Sequence, residues 1–221
     1  MELWDIYDAD KKPTGRTMKR NDWCLKDGEY HLTVLGVVAR PDQTFLITKR
    51  VMTKAWAPGW WEVSGGAAQA GEESYEAVLR EVKEETGLDA GNAEGGYLFT
   101  YKRENPGEGD NYFVDVYRFV MDIDDKDLHL QTEETDGYMF ATPDQIMEFA
   151  EQGIFLHFDL FRLFGPRWED RSNINKILPY SRTTDMILNH YMSRKLDNPI
   201  LVIYLSHNFR SCSTACSTKP V

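Results

Sequence analysis

Residues 66–88, GAAQAGEESYEAVLREVKEETGL, decide how this chain of 221 residues reads. Three carboxylates, Glu81, Glu84 and Glu85, fall at i, i+3 and i+4. On a helix they share roughly 100° of arc. Like charges so placed repel by roughly a few tenths of a kcal/mol per pair. An ordinary surface helix interleaves lysines instead. A cluster kept against that repulsion points to a hard cation, because Mg²⁺ takes oxygen ligands and keeps several waters. Tyr75, Val78, Leu79 and Val82 form an apolar arc that abuts the acids. Burying that arc would hold the carboxylates at the rim of a core, with Arg80 beside Glu84 on the side away from it. Glu72 and Glu73 suit a first turn and Gly87 a C-terminal stop, so the spacing predicts a helix over 72–86.

Working outward, residues 31–39 (HLTVLGVVA) are a nearly continuous β-branched run and predict a buried central strand. A turn at 41–43 leads to a strand over 44–50. Residues 52–59 read as a loop. Trp60, Trp61, Glu62, Val63 and Ser64 form a short strand running into Gly65 and Gly66, glycines that permit φ > 0 or a close backbone approach. Residues 1–20 read as a hairpin with strands at 3–7 and 14–18, followed by a polar connection at 21–29. Beyond the helix, 89–96 is a glycine-rich connection, and 97–101 and 112–121 are strands around a hairpin loop. The acidic segment 122–127 lacks the spacing and glycine of a calcium loop. A strand at 137–141 precedes a helix capped by Thr142, with Pro143 in its first turn. The aromatic segment 155–164 predicts a short helix. Further on, 183–196 reads as a helix, 200–205 as a strand and 211–221 as a disordered tail. The alternation of strands and helices predicts an α/β (α+β) chain in three parts: hairpin and connection at 1–30, a central domain at 31–164 and an extension at 165–221.

Net charge is −11, unevenly spread. Residues 1–164 carry 17 basic and 32 acidic side chains, whereas 165–221 carry eight and four. An acidic body disfavours nucleic acid. A small phosphorylated ligand that arrives with a cation stays compatible. Cys24, Cys212 and Cys216 are too few for a disulfide framework and predict a reducing cytoplasm. No 18-residue apolar run predicts a membrane span, and the acidic N-terminus does not read as a secretory signal.

The central stretch resembles the Nudix hydrolase signature. Gly66, Glu72, Arg80, Glu81, Val82, Glu84, Glu85, Gly87 and Leu88 fill every fixed position. The resemblance extends more loosely over 31–164, and residues 1–30 look like the hairpin of a subgroup related to isopentenyl-diphosphate isomerase. It implies the Nudix fold, a mixed β-sheet sandwiched between α-helices. It implies hydrolysis of a diphosphate linkage in a nucleoside diphosphate joined to another moiety, by metal-activated water attacking phosphorus with Mg²⁺ or Mn²⁺. The residue types suit that chemistry, since carboxylates bind hard cations better than imidazole or thiolate. By the resemblance Glu81, Glu84 and Glu85 are metal ligands, with the Gly66 carbonyl as a further one, and Arg80 orients carboxylates through Glu72 or a neighbour. The general base varies in the family: it is sometimes a box glutamate such as Glu84 or Glu85, sometimes a later acid. Glu134 is the candidate here and Glu133 its alternate. A homodimer through the hairpin would suit residues 1–20.

Two other readings compete with this one. Isomerisation of isopentenyl diphosphate has His31 where those enzymes have a metal-binding histidine. Their catalytic Cys and second His correspond to Ala67 and Ala68, however, so that mechanism lacks its acid. A catalytically silent nucleotide-binding regulator would normally lose box carboxylates, and none is lost. A DNA-reading tail should carry a basic recognition helix, and 183–196 offers only Arg194 and Lys195. Trp60, Trp61, Tyr101 and Tyr112 are candidates to stack on a base or to pack a core.

Overall fold

A computed structural model describes residues 1–105 and 107–158. Two strands, β1 (Leu3–Tyr7) and β2 (Pro13–Lys19), make an antiparallel hairpin. Seven more form a mixed sheet: β3 (His31–Ala39), β4 (Phe45–Arg50), β5 (Trp61–Glu62), β6 (Ser64–Ala67), β7 (Glu94–Arg103), β8 (Tyr112–Val120) and β9 (Thr135–Ala141). Helix α1 (Ser74–Thr86) follows β6, and α2 (Pro143–Glu151) follows β9. The expectations beyond residue 158, including those at 183–196, 200–205 and 211–221, lie outside the described residues.

The β-branched run of β3 is buried along both faces and pairs in parallel with β8 over its whole length. A strand covered on both faces needs apolar side chains at successive positions, which is why the run does not alternate. The other edge of β3 is shared: β6 pairs with Thr33 to Gly36, and β4 meets it at Ala39. β4 continues away with β9 on one side and β5 on the other. The sheet thus splits at β3, and β6 with its following loop lies against α1.

Helix α1 packs on that split. Val78 and Val82 are fully buried, and a Cβ on Gly36 of β3 would meet Val82 Cγ2 at 2.6 Å and Val78 Cγ2 at 3.0 Å. The missing side chain therefore sets the helix-to-sheet distance. Tyr30, Leu32, Val34, Val38, Leu46, Phe113 and Phe119 complete this core. The hairpin has a small core of its own, Trp4, Ile6, Met18 and Leu25, against which Ala67 packs. Its turn residue Lys11 pairs with the buried Asp115 of β8, which also accepts from Ser74 Oγ at 2.5 Å.

Five expectations shift. Helix α1 begins at Ser74 rather than 72, because Glu73 is its N-cap and donates its backbone N–H to Glu76 Oε2 at 3.3 Å. Tyr75 is exposed at 43 %, and Ala77 takes the core position instead. Gly65 and Gly66 belong to a strand and neither has a positive φ. Phe155 is not helical: it forms an isolated bridge with Trp61, and Leu156 N–H donates to Trp61 O at 2.8 Å. Strand β7 also starts earlier than 97, at Glu94, since partners on β8 reach that far.

Candidate active site

Arg80 is the hub of the acidic helix. Its Nε and Nη2 donate to the two oxygens of Glu72 at 2.8 and 2.9 Å. Nη1 reaches Glu81 Oε1 at 2.7 Å and Glu84 Oε2 at 3.2 Å, and Nη2 also reaches Ala67 O at 3.2 Å. The guanidinium folds back toward β6, so the expectation that it lies away from the packed side is corrected. Glu72 hydrogen-bonding holds the Arg80 pKa far above its usual value, with burial opposing and Glu81 assisting. Burial works against Glu72 ionisation, but Arg80 outweighs it and lowers the Glu72 pKa.

Glu81 lies flat against the backbone of Gly66, and a Cβ at that position would land on its carboxylate. Burial raises the Glu81 pKa while Arg80 pulls it down. Glu84 is the exposed member, with 55 % of its side chain accessible. Glu85 faces a different set of groups. Its Oε2 is buried without a hydrogen-bond partner. Burial pushes its pKa well above the ordinary carboxylate range, the charges of Glu62 and Glu81 add to this, and Ser64 opposes. A buried anionic oxygen with no donor is costly unless a cation or proton fills the place. The arrangement of the box carboxylates fits a hard cation for that reason. Among the described residues no three His, Cys, Asp or Glu side chains already converge as a ligand set, since Arg80 holds Glu81 and Glu84.

Glu62 comes to the site on β5. Arg50 Nη1 grips both of its oxygens at 3.0 and 2.8 Å, and Arg50 Nε and Nη2 go to Trp56 O. Burial raises the Glu62 pKa against the pull of Arg50. Glu134 arrives on the loop before β9. That loop is stitched to the end of α1 by His129 N–H to Thr86 O at 2.8 Å and Gln131 N–H to Glu85 O at 3.3 Å. These bonds satisfy carbonyls that a helix end leaves open. Glu134 O accepts from Val51 N–H at 3.1 Å, and its carboxylate pairs with Lys54 at 2.9 Å. Its charge acts on both Glu85 and Glu62.

The structure thus brings Gly66, Glu72, Arg80, Glu81, Glu84, Glu85 and Glu134 to one region. Glu133 is exposed. His31 is buried against Trp4 and Tyr112 and 3.3 Å from Asp110, with no box carboxylate among its contacts. Trp61 stacks on Phe149, and the exposed indole of this region is Trp56. Glu62, Arg50 and Lys54 were missed from sequence. One signal existed: Glu62 is the lone acid in residues 43–71.

The NUDIX domain family matches residues 29–164. An uncharacterized Nudix hydrolase of Listeria innocua is 34% identical over 166 residues, 74% of this chain and 94% of that protein. One from Listeria monocytogenes is 33% identical over 167 residues, covering 75% and 95%. A crystal structure from Deinococcus radiodurans has a similar fold, at TM-score 0.59, 21% identity, and 73% and 96% coverage. The chain belongs to the NUDIX domain family and is a hydrolase acting on phosphorus-containing acid anhydrides. No helix among the described residues is long and apolar enough to cross a membrane.

Proposed function

We propose that this chain hydrolyses the diphosphate linkage of a nucleoside diphosphate joined to a second moiety, with Mg²⁺ or Mn²⁺ as cofactor. The observation that carries the reading is Glu85 Oε2, buried and unpartnered among Glu62, Glu81 and Glu134. Glu81, Glu84 and Glu85, with the Gly66 carbonyl, would hold the ion. When bound, the ion offsets charge developing at phosphorus and acidifies the attacking water. Arg80, fixed by Glu72, keeps Glu81 and Glu84 beside Glu85 and limits their spread. Glu134, on a loop anchored to α1, accepts the proton of the water. The 1–30 hairpin, 31–164 domain and 165–221 extension remain the working division of the chain.

The test is a substrate screen with the full chain in Mg²⁺: ADP-ribose, nucleoside-diphosphate sugars, dinucleoside polyphosphates and oxidised dNTPs, with release of phosphate-containing products measured. Turnover of at least one, abolished by chelator, is expected. Tight binding without turnover would instead identify a silent regulator. Conversion of isopentenyl diphosphate with no hydrolysis of any of these would overturn the reading.

A further inference from the structure

The hairpin precedes the matched NUDIX residues, yet its open end is bonded to the loop on which the site is built. Ala70 N–H donates to Leu3 O at 2.8 Å, and Gly71 N–H donates to Asp5 Oδ2 at 2.7 Å. That loop carries Glu72, the anchor of Arg80. At the same open end Arg20 N–H donates to Glu2 O at 3.2 Å, and Arg20 Nη1 pairs with Glu2 Oε2 at 2.8 Å. Glu2 Oε1 is held by the Trp4 indole at 2.7 Å.

A diphosphate needs cationic partners from the protein. Arg80 already serves three carboxylates and a carbonyl, and only 21 % of its side chain is accessible. Arg50 serves Glu62 and Trp56 O, and 14 % is accessible. Lys54 is tied to Glu134, and 26 % is accessible. Arg20 is 58 % accessible and its ion pair is with Glu2. Its partner Glu2 precedes Leu3, whose carbonyl accepts from Ala70 N–H, so the pair stands beside the loop that carries Glu72. An exposed pair such as Arg20 with Glu2 adds little to stability. A guanidinium can instead bind phosphate oxygens through two parallel N–H bonds.

We propose that Arg20 is a substrate-binding residue: when the diphosphate enters, its guanidinium leaves Glu2 for the non-bridging phosphate oxygens, so the hairpin contributes a phosphate ligand in cis from outside residues 29–164. Glu2 holds the free guanidinium in place and competes with the substrate for it. This inference rests on the site being one for diphosphates.

The experiment is calorimetric titration of the full chain with imidodiphosphate, a hydrolysis-resistant diphosphate, in Mg²⁺. Arg20→Gln should bind about tenfold more weakly, the size of one charge-assisted hydrogen bond. Arg20→Lys should recover part of that loss. Glu2→Gln retains an oxygen for Trp4 but frees Arg20, and should bind as tightly as wild type or more tightly. Opposite effects of the two substitutions separate a binding role from a merely structural pair. Thermal unfolding should be alike in all variants. If wild type binds and Arg20→Gln matches it, or if Glu2→Gln weakens binding as much as Arg20→Gln does, the assignment fails while the hydrolase reading stands. If wild type neither binds imidodiphosphate nor hydrolyses any substrate of the screen, both fail.

Discussion

Glu85 shows how a single residue can trade stability for activity. Burial raises its pKa in the folded chain, with Glu62 and Glu81 adding to the shift. The native state therefore binds its proton more readily than the unfolded state does. That contribution is fully present below the ordinary glutamate value of about 4.3 and is lost as pH rises through the raised one. Glu2, Glu29, Glu72 and Glu104 have lowered values and act with the opposite sign, so the comparison must be made against a variant. Without metal at neutral pH, Glu85→Gln should be more stable than wild type by roughly 1–2 kcal/mol, and the gap should close in acid. Thermal melts across pH measure this directly. Mg²⁺ should stabilise wild type and do less for the variant, and turnover should fall by orders of magnitude. An unchanged kcat would remove Glu85 from the metal site. Gly66 supplies a second residue-scale case. A methyl group there falls on the Glu81 carboxylate. Gly66→Ala should therefore cost about tenfold or more in kcat, with the circular dichroism spectrum retained.

The elements that carry these residues were legible to different degrees. Local signals were sufficient for α1: its apolar arc, its acidic start and the Gly87 stop lie within one continuous stretch. What periodicity could not resolve was which edge of the arc is buried: Ala77 is fully buried, whereas Tyr75 stays exposed with its ring against Tyr117 and Phe119. Short strands fared worse. Strand β6 exists because Thr33 to Gly36 pair with it across the sheet, and Phe155 is extended because Trp61 offers an edge. Neither partner is visible in the local sequence. The α1 to β3 contact also makes a stability prediction. Gly36→Ala would push a methyl group into Val78 and Val82, and overpacking of this kind costs about 1–3 kcal/mol. Denaturant unfolding should show that loss. Because α1 also carries Glu81, Glu84 and Glu85, kcat should fall alongside stability, whereas a destabilising change within the hairpin turn should leave kcat intact.

At the scale of the molecule, the candidate site is a meeting of helix, sheet and loop, and only the helix announced itself. The box glutamates are three and four residues apart, so one helix suffices to collect them. Glu62 enters because Thr48 of β4 pairs with it, and Lys54 because the loop after β4 runs beside the 131–134 loop. Glu134 was selected by resemblance, and its geometry now sets a sharper test. It is half-buried, its backbone is bonded to Gln131 and Val51, and Lys54 pairs with its carboxylate at 2.9 Å. Glu133, its neighbour, is exposed. Glu134→Gln should lower kcat by about 10²–10⁴, the range of a lost general base, and should remove the acidic limb of the kcat/KM profile. Glu133→Gln should leave both unchanged. Glu62→Gln is the informative control, because it weakens the Arg50 clamp without touching Glu134. It should alter metal affinity through Glu85 and preserve the acidic limb. Steady-state kinetics from pH 5 to 9 on the three variants decides the matter. A retained acidic limb in Glu134→Gln, lost instead in Glu62→Gln, would transfer the proton-accepting role from the loop to the sheet.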